Sequence, residues 1–288
     1  MVDGIDHVLL TRFNLPSQGA ERIIRAQDGW LEHRIKLFER YCLTSVRAQT
    51  CKDFNWIIYF DPESPEWLRY RVERHALEGT YVPLFRPSVS HAELIADIRQ
   101  VAGHNGSHLM TTNLDNDDGL AVNFIQRLHS LELGAEKTAV YLAKGLIKSS
   151  SRLYLRIDKH NAFCSVIDPW ESASTCWSDW HTLLGKSMRV VDLHDEPAWL
   201  QVVHGVNVSN RVRGRLISPS RYHDIFPGLL NDVYVPKPVE MISDVALARP
   251  RRLIRESVRA ITKRIILQAA GKEGLKRIKV VLASHRKR

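Results

Sequence analysis

The chain has 288 residues, 44% hydrophobic and 25% charged, an ordinary globular composition with room for one large domain and an appendage. Its net charge of +9 is lopsided: residues 249–288 carry 14 Lys or Arg against 2 Asp or Glu, so the tail is near +12 and the preceding body near −3. That split argues against a nucleic-acid surface spread over the body, and no run reaches the ~18 apolar residues of a membrane span.

Met1-Val2-Asp3-Gly4 lacks the basic and apolar regions of a signal peptide, so the expected location is the cytoplasm. Cys42, Cys51, Cys164 and Cys176 form neither a C-x-x-C pair nor a zinc spacing, and they read as reduced thiols.

In chain order, Ile5 to Phe13 reads as a buried strand followed by a polar loop. Leu31, Ile35, Phe38, Cys42 and Val46 recur at helical spacing after Trp30, with Asp28 as the expected N-cap. Trp56 to Phe60 is a second buried strand that delivers Asp61 at its C-terminal end, ahead of Pro62. Thr80 to Phe85 reads as a third strand, and Ser90 with Glu93 forms a capping box before a short helix through Leu94, Ile95, Ile98 and Val101. His108 to Leu114 is a further strand running into Asp115-Asn116-Asp117-Asp118, with a helix expected through Leu120, Phe124, Leu128 and Leu131. Thr138 to Ala143 and Arg152 to Ile157 read as a hairpin or two sheet strands, and residues 168–187 as a functional loop region. Alternating strands and helices predict an α/β sheet with helices on both faces. The expected division is a domain over 1–245 and a basic amphipathic helical tail over 246–288.

The acidic cluster after the fourth strand carries the strongest chemical signal. Carboxylates at a buried strand end need a cation, hydrogen-bond donors or water. Mg²⁺ or Mn²⁺ would satisfy two carboxylates and leave positions for diphosphate oxygens. The other reading is a helix N-terminus, where acidic residues offset the macrodipole without any metal.

Ser45-Val46-Arg47-Ala48-Gln49-Thr50, the apolar strand ending in Asp61, and Leu114-Asp115-Asn116-Asp117-Asp118 resemble the S-x-x-x-Q-T and L-D-x-D-D patterns of family 2 glycosyltransferases. Thr11-Arg12-Phe13-Asn14, Trp30-Leu31-Glu32-His33-Arg34, Phe60-Asp61-Pro62 and the stretch from Trp199 to Asn210 resemble, more closely, the bacterial rhamnosyltransferase family. Four motifs in order over residues 5 to 215 are far more specific than any one of them. The resemblance implies a GT-A (Rossmann-like) mixed sheet and a metal-dependent transfer of a sugar, L-rhamnose by the family's name, from a nucleotide-sugar to a glycan or lipid-linked hydroxyl. It also implies roles by position. Asp61 would hold the donor base or ribose, Asp115 the ribose or metal, and Asp117 the metal, with Asp118 in support. Arg12 would meet the base or diphosphate, His204 the metal or diphosphate, and Asn207 a sugar hydroxyl. The pattern departs at Asn113, where an arginine facing the donor phosphate is expected.

An inverting transferase needs a carboxylate to deprotonate the acceptor, and the 168–187 region offers Asp179, framed by Trp177, Trp180 and His181, or Glu171. In the tail, Ile254, Val258, Ile261, Ile265 and Ala269 fall on one helical stripe among Arg251, Arg252, Arg255, Arg259, Lys263 and Arg264. That pattern suits a helix lying on an anionic membrane at the inner face of the cell membrane, or one packed on the body with a solvated basic face. Two other functions compete with glycosyl transfer. One is a phosphotransferase or phosphohydrolase using the D-x-D motif, and the other a non-enzymatic membrane or nucleic-acid binding module.

Overall fold

The computed structural model describes residues 4–16, 25, 27–132, 134–204 and 211–258. β1 (Ile5–Arg12) leads to a helix that begins as α1 (Trp30–Leu37), widens into a π-type stretch over Phe38–Leu43 and ends as α2 (Thr44–Arg47). There follow β2 (Asn55–Phe60), α3 (Glu66–Leu77), β3 (Val82–Phe85), α4 (His91–Ala102) and β4 (His108–Asn113). The two-residue β5 (Gly119–Leu120), α5 (Phe124–His129), β6 (Thr138–Leu142), β7 (Lys144–Ser149), β8 (Arg152–Ile157) and β9 (Ser165–Pro169) come next. The chain then forms β10 (Arg189–Leu193), β11 (Trp199–Val203), β12 (Arg215–Ile217) and α6 (Pro238–Ser243), which runs on through a π-type turn, Asp244–Ala248, into helix 249–258.

Seven strands form one mixed sheet, ordered β10-β6-β9-β4-β1-β2-β3, with β9 antiparallel to both neighbours and the other pairings parallel. Its central strands are apolar at successive positions because both faces are covered. Val8 and Leu10 of β1 pack with Leu94 and Ile98 of α4, whereas Leu9 packs with Ile35, Phe38, Val46 and Val72. A second sheet, β12-β8-β7-β11-β5, joins that same side, sending Ile147, Tyr154 and Trp199 into the first sheet's core. The mixed α/β architecture is the expected class.

Several local expectations change. Asp28 is not the N-cap of α1; Gly29 occupies that position at φ 72°, a left-handed conformation that suits glycine. The capping box at Ser90 and Glu93 forms as expected. Leu120 belongs to β5 instead of a helix, because Gly119 and Leu120 pair with Leu200 and Trp199. Thr138 to Ala143 and Arg152 to Ile157 are not a hairpin: β6 lies in the first sheet and β8 in the second. The 245/246 division falls inside the continuous helical run 238–258, so the tail has no break from the body there. The tail stripe beyond Val258 lies outside the described residues, among which no helix is long and apolar enough to cross a membrane.

Candidate functional site

The parallel strands β1, β2 and β4 end on one edge of the large sheet, and their register sets Leu10 beside Asn113 and Arg12 beside Tyr59. Arg12, Asp61 and the 115–118 cluster therefore gather at the carboxyl edge, where ligands of open α/β sheets bind. Asn116 locks the cluster to the first strand, its amide donating to the carbonyls of Arg12 and Phe13.

Asp117 is the centre of the site. Its Oδ2 accepts from Arg34 Nη1 at 2.6 Å and lies 2.8 Å from His204 Nε2, and both partner side chains are largely buried. Arg34 comes from α1, where it packs on the Trp30 ring and also donates to Asn116 Oδ1 at 2.9 Å. His204 arrives because β5 pairs antiparallel with β11, whose next residue is His204. The His33 ring stands 5.2 Å from that of His204, and its pKa is lowered by partial burial and by the neighbouring His204 and Arg34 charges. Burial alone would raise the Asp117 carboxyl, but the His204 hydrogen bond and the Arg34 charge hold it below the ordinary carboxylate range.

The other two aspartates differ from it. Asp115 is exposed at the strand end, yet desolvation by the surrounding protein, and then the Asp117 charge, push it up to about 6. Asp118 does not support a metal as expected. It is fully buried and turned to the second sheet, its Oδ1 accepting from the Val202 amide at 2.7 Å. Its Oδ2 has no hydrogen-bond partner among the described residues, and burial with the two nearby aspartates drives its pKa well up. Asp118 thus fastens the acidic loop to β11 through the Val202 amide.

The 2.8 Å contact between Asp117 and His204 is a hydrogen bond, and the same Asp117 oxygen accepts from Arg34, so a divalent ion bound there would have to displace these donors. No set of three His, Cys, Asp or Glu side chains suited to a metal occurs among the described residues. A divalent ion at Asp117 would therefore have to take most of its ligands from water or a bound diphosphate.

Beside the cluster lies a cavity of about 270 Å³ lined by Arg12, Ser90, His91, Leu94 and the 174–178 loop. The Arg12 guanidinium lies 4.0 Å from the centre of the Trp177 ring, and Trp177 Nε1 donates to Asn113 Oδ1 at 2.7 Å. Asn113, found where an arginine is expected, thus seats the tryptophan that carries the Arg12 cation. Asp61 follows β2 and is committed in part to a turn: its Oδ1 accepts from the Glu63 amide, and its own amide donates to Asn14 Oδ1.

The two candidate bases part company. β9 runs antiparallel to β4, so Pro169 pairs with His108 and Glu171 emerges at the opposite edge of the sheet, about a strand length of ~17–20 Å from the acidic cluster. Glu171 cannot reach an acceptor at the carboxyl edge and is set aside. The chain then returns along the sheet, with the Cys176 amide donating to Thr111 and Trp177 meeting Asn113, which brings the exposed Asp179 toward the carboxyl edge. Asn207 lies outside the described residues.

Sequence reasoning passed over Arg34 and His33, although both sit in the quoted Trp30 to Arg34 motif. A signal was present: Trp30, Arg34 and Phe38 are spaced by four, so Arg34 falls on the apolar stripe of its helix. An arginine there demands a buried anion.

The chain has structural likeness, at a TM-score of 0.37 in each case, to three solved structures. These are TarS of S. aureus (12% identity, 69% of this chain), its 1–349 portion in complex with UDP (11%, 79% of this chain and 65% of that one), and the inositol-1-phosphate CTP transferase of T. maritima (12%, 81% and 99%). The chain spans 37% of the longer TarS chain. No curated protein matches the sequence. Residues 6–216 match the family described as "Putative rhamnosyl transferase", and the chain belongs to that family of glycosyltransferases.

Proposed function

We propose that the protein transfers a hexose, L-rhamnose being the first to test, from a dTDP- or UDP-linked donor to a hydroxyl of a glycan or lipid-linked acceptor. The observation that carries this reading is the Arg34–Asp117–His204 cluster at the strand edge, next to the cavity bearing the stacked Arg12 and Trp177.

In this reading the nucleoside enters the cavity, with the Trp177 face and the remaining Asp61 oxygen toward base or ribose, and Asp115 toward a ribose hydroxyl. As the bond between the sugar's anomeric carbon and the phosphate oxygen breaks, negative charge grows on the leaving diphosphate. Arg12 lies on the side of that charge, and Arg34 limits the repulsion from Asp117. A divalent ion held at Asp117 would supply Lewis-acid neutralisation of the diphosphate. Asp179 accepts the proton of the acceptor hydroxyl, and an inverted anomeric centre is the expected product.

The test is thermal stabilisation of the full chain by UDP, dTDP, UDP-glucose and dTDP-L-rhamnose, each with and without Mn²⁺. A ligand at 100 times its Kd adds about 2.7 kcal/mol to the stability of the form that binds it. One nucleotide should raise the Tm, and Mn²⁺ should enlarge the shift. If no nucleotide raises the Tm under either condition, the reading is wrong.

A further inference from the structure

The helical run 238–258 is packed inside out. Its inward stripe, spaced by four, is Glu240, Asp244, Ala248, Arg252 and Glu256, all buried or half-buried. Four of the five are charged, and they are the anchors: Asp244 accepts from the Leu216 amide at 2.9 Å and pairs with Arg252 at 2.8 Å. Arg252 also donates to the Gly214 carbonyl and lies over the Tyr154 ring, while Glu256 pairs with Arg213 at 2.8 Å. The opposite stripe, Ile242, Ala246, Pro250 and Ile254, is wholly apolar and faces out, with Ile242 68% and Ile254 63% exposed. Val239 at 66% and Leu247 at 55% widen it. A helix docked only on a water-soluble body would turn this stripe inward.

Charge identifies what the stripe meets. Arg249, Arg251 and Arg255 are exposed along its margins, and residues 259–288 add 10 Lys or Arg against 1 acidic residue. An apolar face bordered by arginines is complementary to the acyl boundary and headgroups of an anionic bilayer. A protein partner of ordinary mixed charge would not match so one-sided a margin.

We propose that the run 238–258 lies on an anionic lipid surface, its outward stripe in the acyl boundary and Arg249, Arg251 and Arg255 among the headgroups. The contact begins at Val239, within the body, and so holds the sheet edge at a fixed orientation to the lipid instead of tethering it through the tail alone. This inference is independent of the catalytic reading.

The test is co-sedimentation of the full chain with vesicles of equal parts phosphatidylcholine and phosphatidylglycerol, and with phosphatidylcholine alone, at low salt. Wild type should bind the anionic vesicles, and the double variant Ile242→Glu, Ile254→Glu should bind them at least about tenfold more weakly with an unchanged Tm. Arg249→Gln, Arg251→Gln, Arg255→Gln should weaken binding to anionic vesicles while leaving the weak binding to neutral ones as it was. The proposal is overturned if wild type stays in the supernatant, or if the double glutamate variant binds like wild type. It is also overturned if that variant lowers the Tm, which would mean residues 259–288 cover the stripe. Dissociation by that variant of a wild-type dimer seen on size exclusion would overturn it too, because the stripe would then join two copies of the chain.

Discussion

Replacing Arg34 by methionine removes a guanidinium held at 12% exposure between Asp117 and Asn116 while keeping most of its apolar stem. The Asp117 carboxylate, 7% exposed, would then face the interior beside His204 without the Arg34 charge. Breaking one side of a buried ion pair costs about 3–5 kcal/mol, and the surviving histidine contact sets the lower figure, about 3 kcal/mol. At ~2 °C per kcal/mol for a chain of this size, the Tm should fall by roughly 6 °C. Asp117→Asn should cost a similar amount, because Arg34 then lacks its counter-charge. The double variant leaves neither charge uncompensated and should cost about 2 kcal/mol less than the sum of the single losses. Urea unfolding of the four proteins measures this coupling. Additivity within about 0.5 kcal/mol would refute the claim that Arg34 and Asp117 act as one buried unit.

Three further outcomes follow from the packing and the titrating groups. His7, buried and bonded to His129 at 2.9 Å, has its pKa lowered well below the ordinary value by burial and then by His129, and burial lowers His129 as well. The folded state therefore binds fewer protons than the unfolded one below about pH 6.5, so this stability is complete above that pH and is lost as the pH falls. His129→Gln should flatten the decline between pH 6.5 and 5 by up to ~1.4 kcal/mol per pH unit, read by denaturant titration at several pH values; an unchanged slope contradicts it. In Gly145→Ala the new Cβ would come 2.1 Å from the Trp199 indole, which is fixed by its bond to the Leu142 carbonyl and by stacking on Phe163. Overpacking there should cost about 1–3 kcal/mol and lower turnover by shifting β11, which carries His204; a wild-type Tm and kcat would show that Trp199 yields freely. Trp177→Ala removes the ring beneath Arg12 and should weaken binding of UDP or dTDP by about 1–2 kcal/mol in calorimetry; wild-type affinity would place the nucleotide elsewhere.

Strands of the large sheet were legible where they are buried on both faces, though not their order. β1 and β2 read as apolar runs and β4 as a strand leading into Leu114, and their ends supplied Arg12, Asp61 and the acidic cluster together. The second sheet was legible only in β8, read as a strand over Arg152 to Ile157; β7 mixes lysines with apolar residues, and β5 is two residues long, defined only by its partner β11. The same long-range pairing explains why Asp118 was misjudged: nothing near it in sequence announces the Val202 amide 84 residues away. α3 escaped because Glu66 to Leu77 buries only Leu68 and Val72, too narrow a stripe to give a period. The tail's basic residues were visible, but the inward turn of Arg252 depends on Asp244 and Gly214.

The account's central claim is that Asp117 organises a nucleotide-sugar site, and release of nucleoside diphosphate tests it most directly. Wild type and Asp117→Ala would be incubated with dTDP-L-rhamnose and with UDP-glucose in Mn²⁺, with and without EDTA, and the free dTDP or UDP measured. Wild type should release one of them, EDTA should abolish the release, and Asp117→Ala should lose it while still unfolding cooperatively. Equal release by the two proteins, or release untouched by EDTA, would contradict the account.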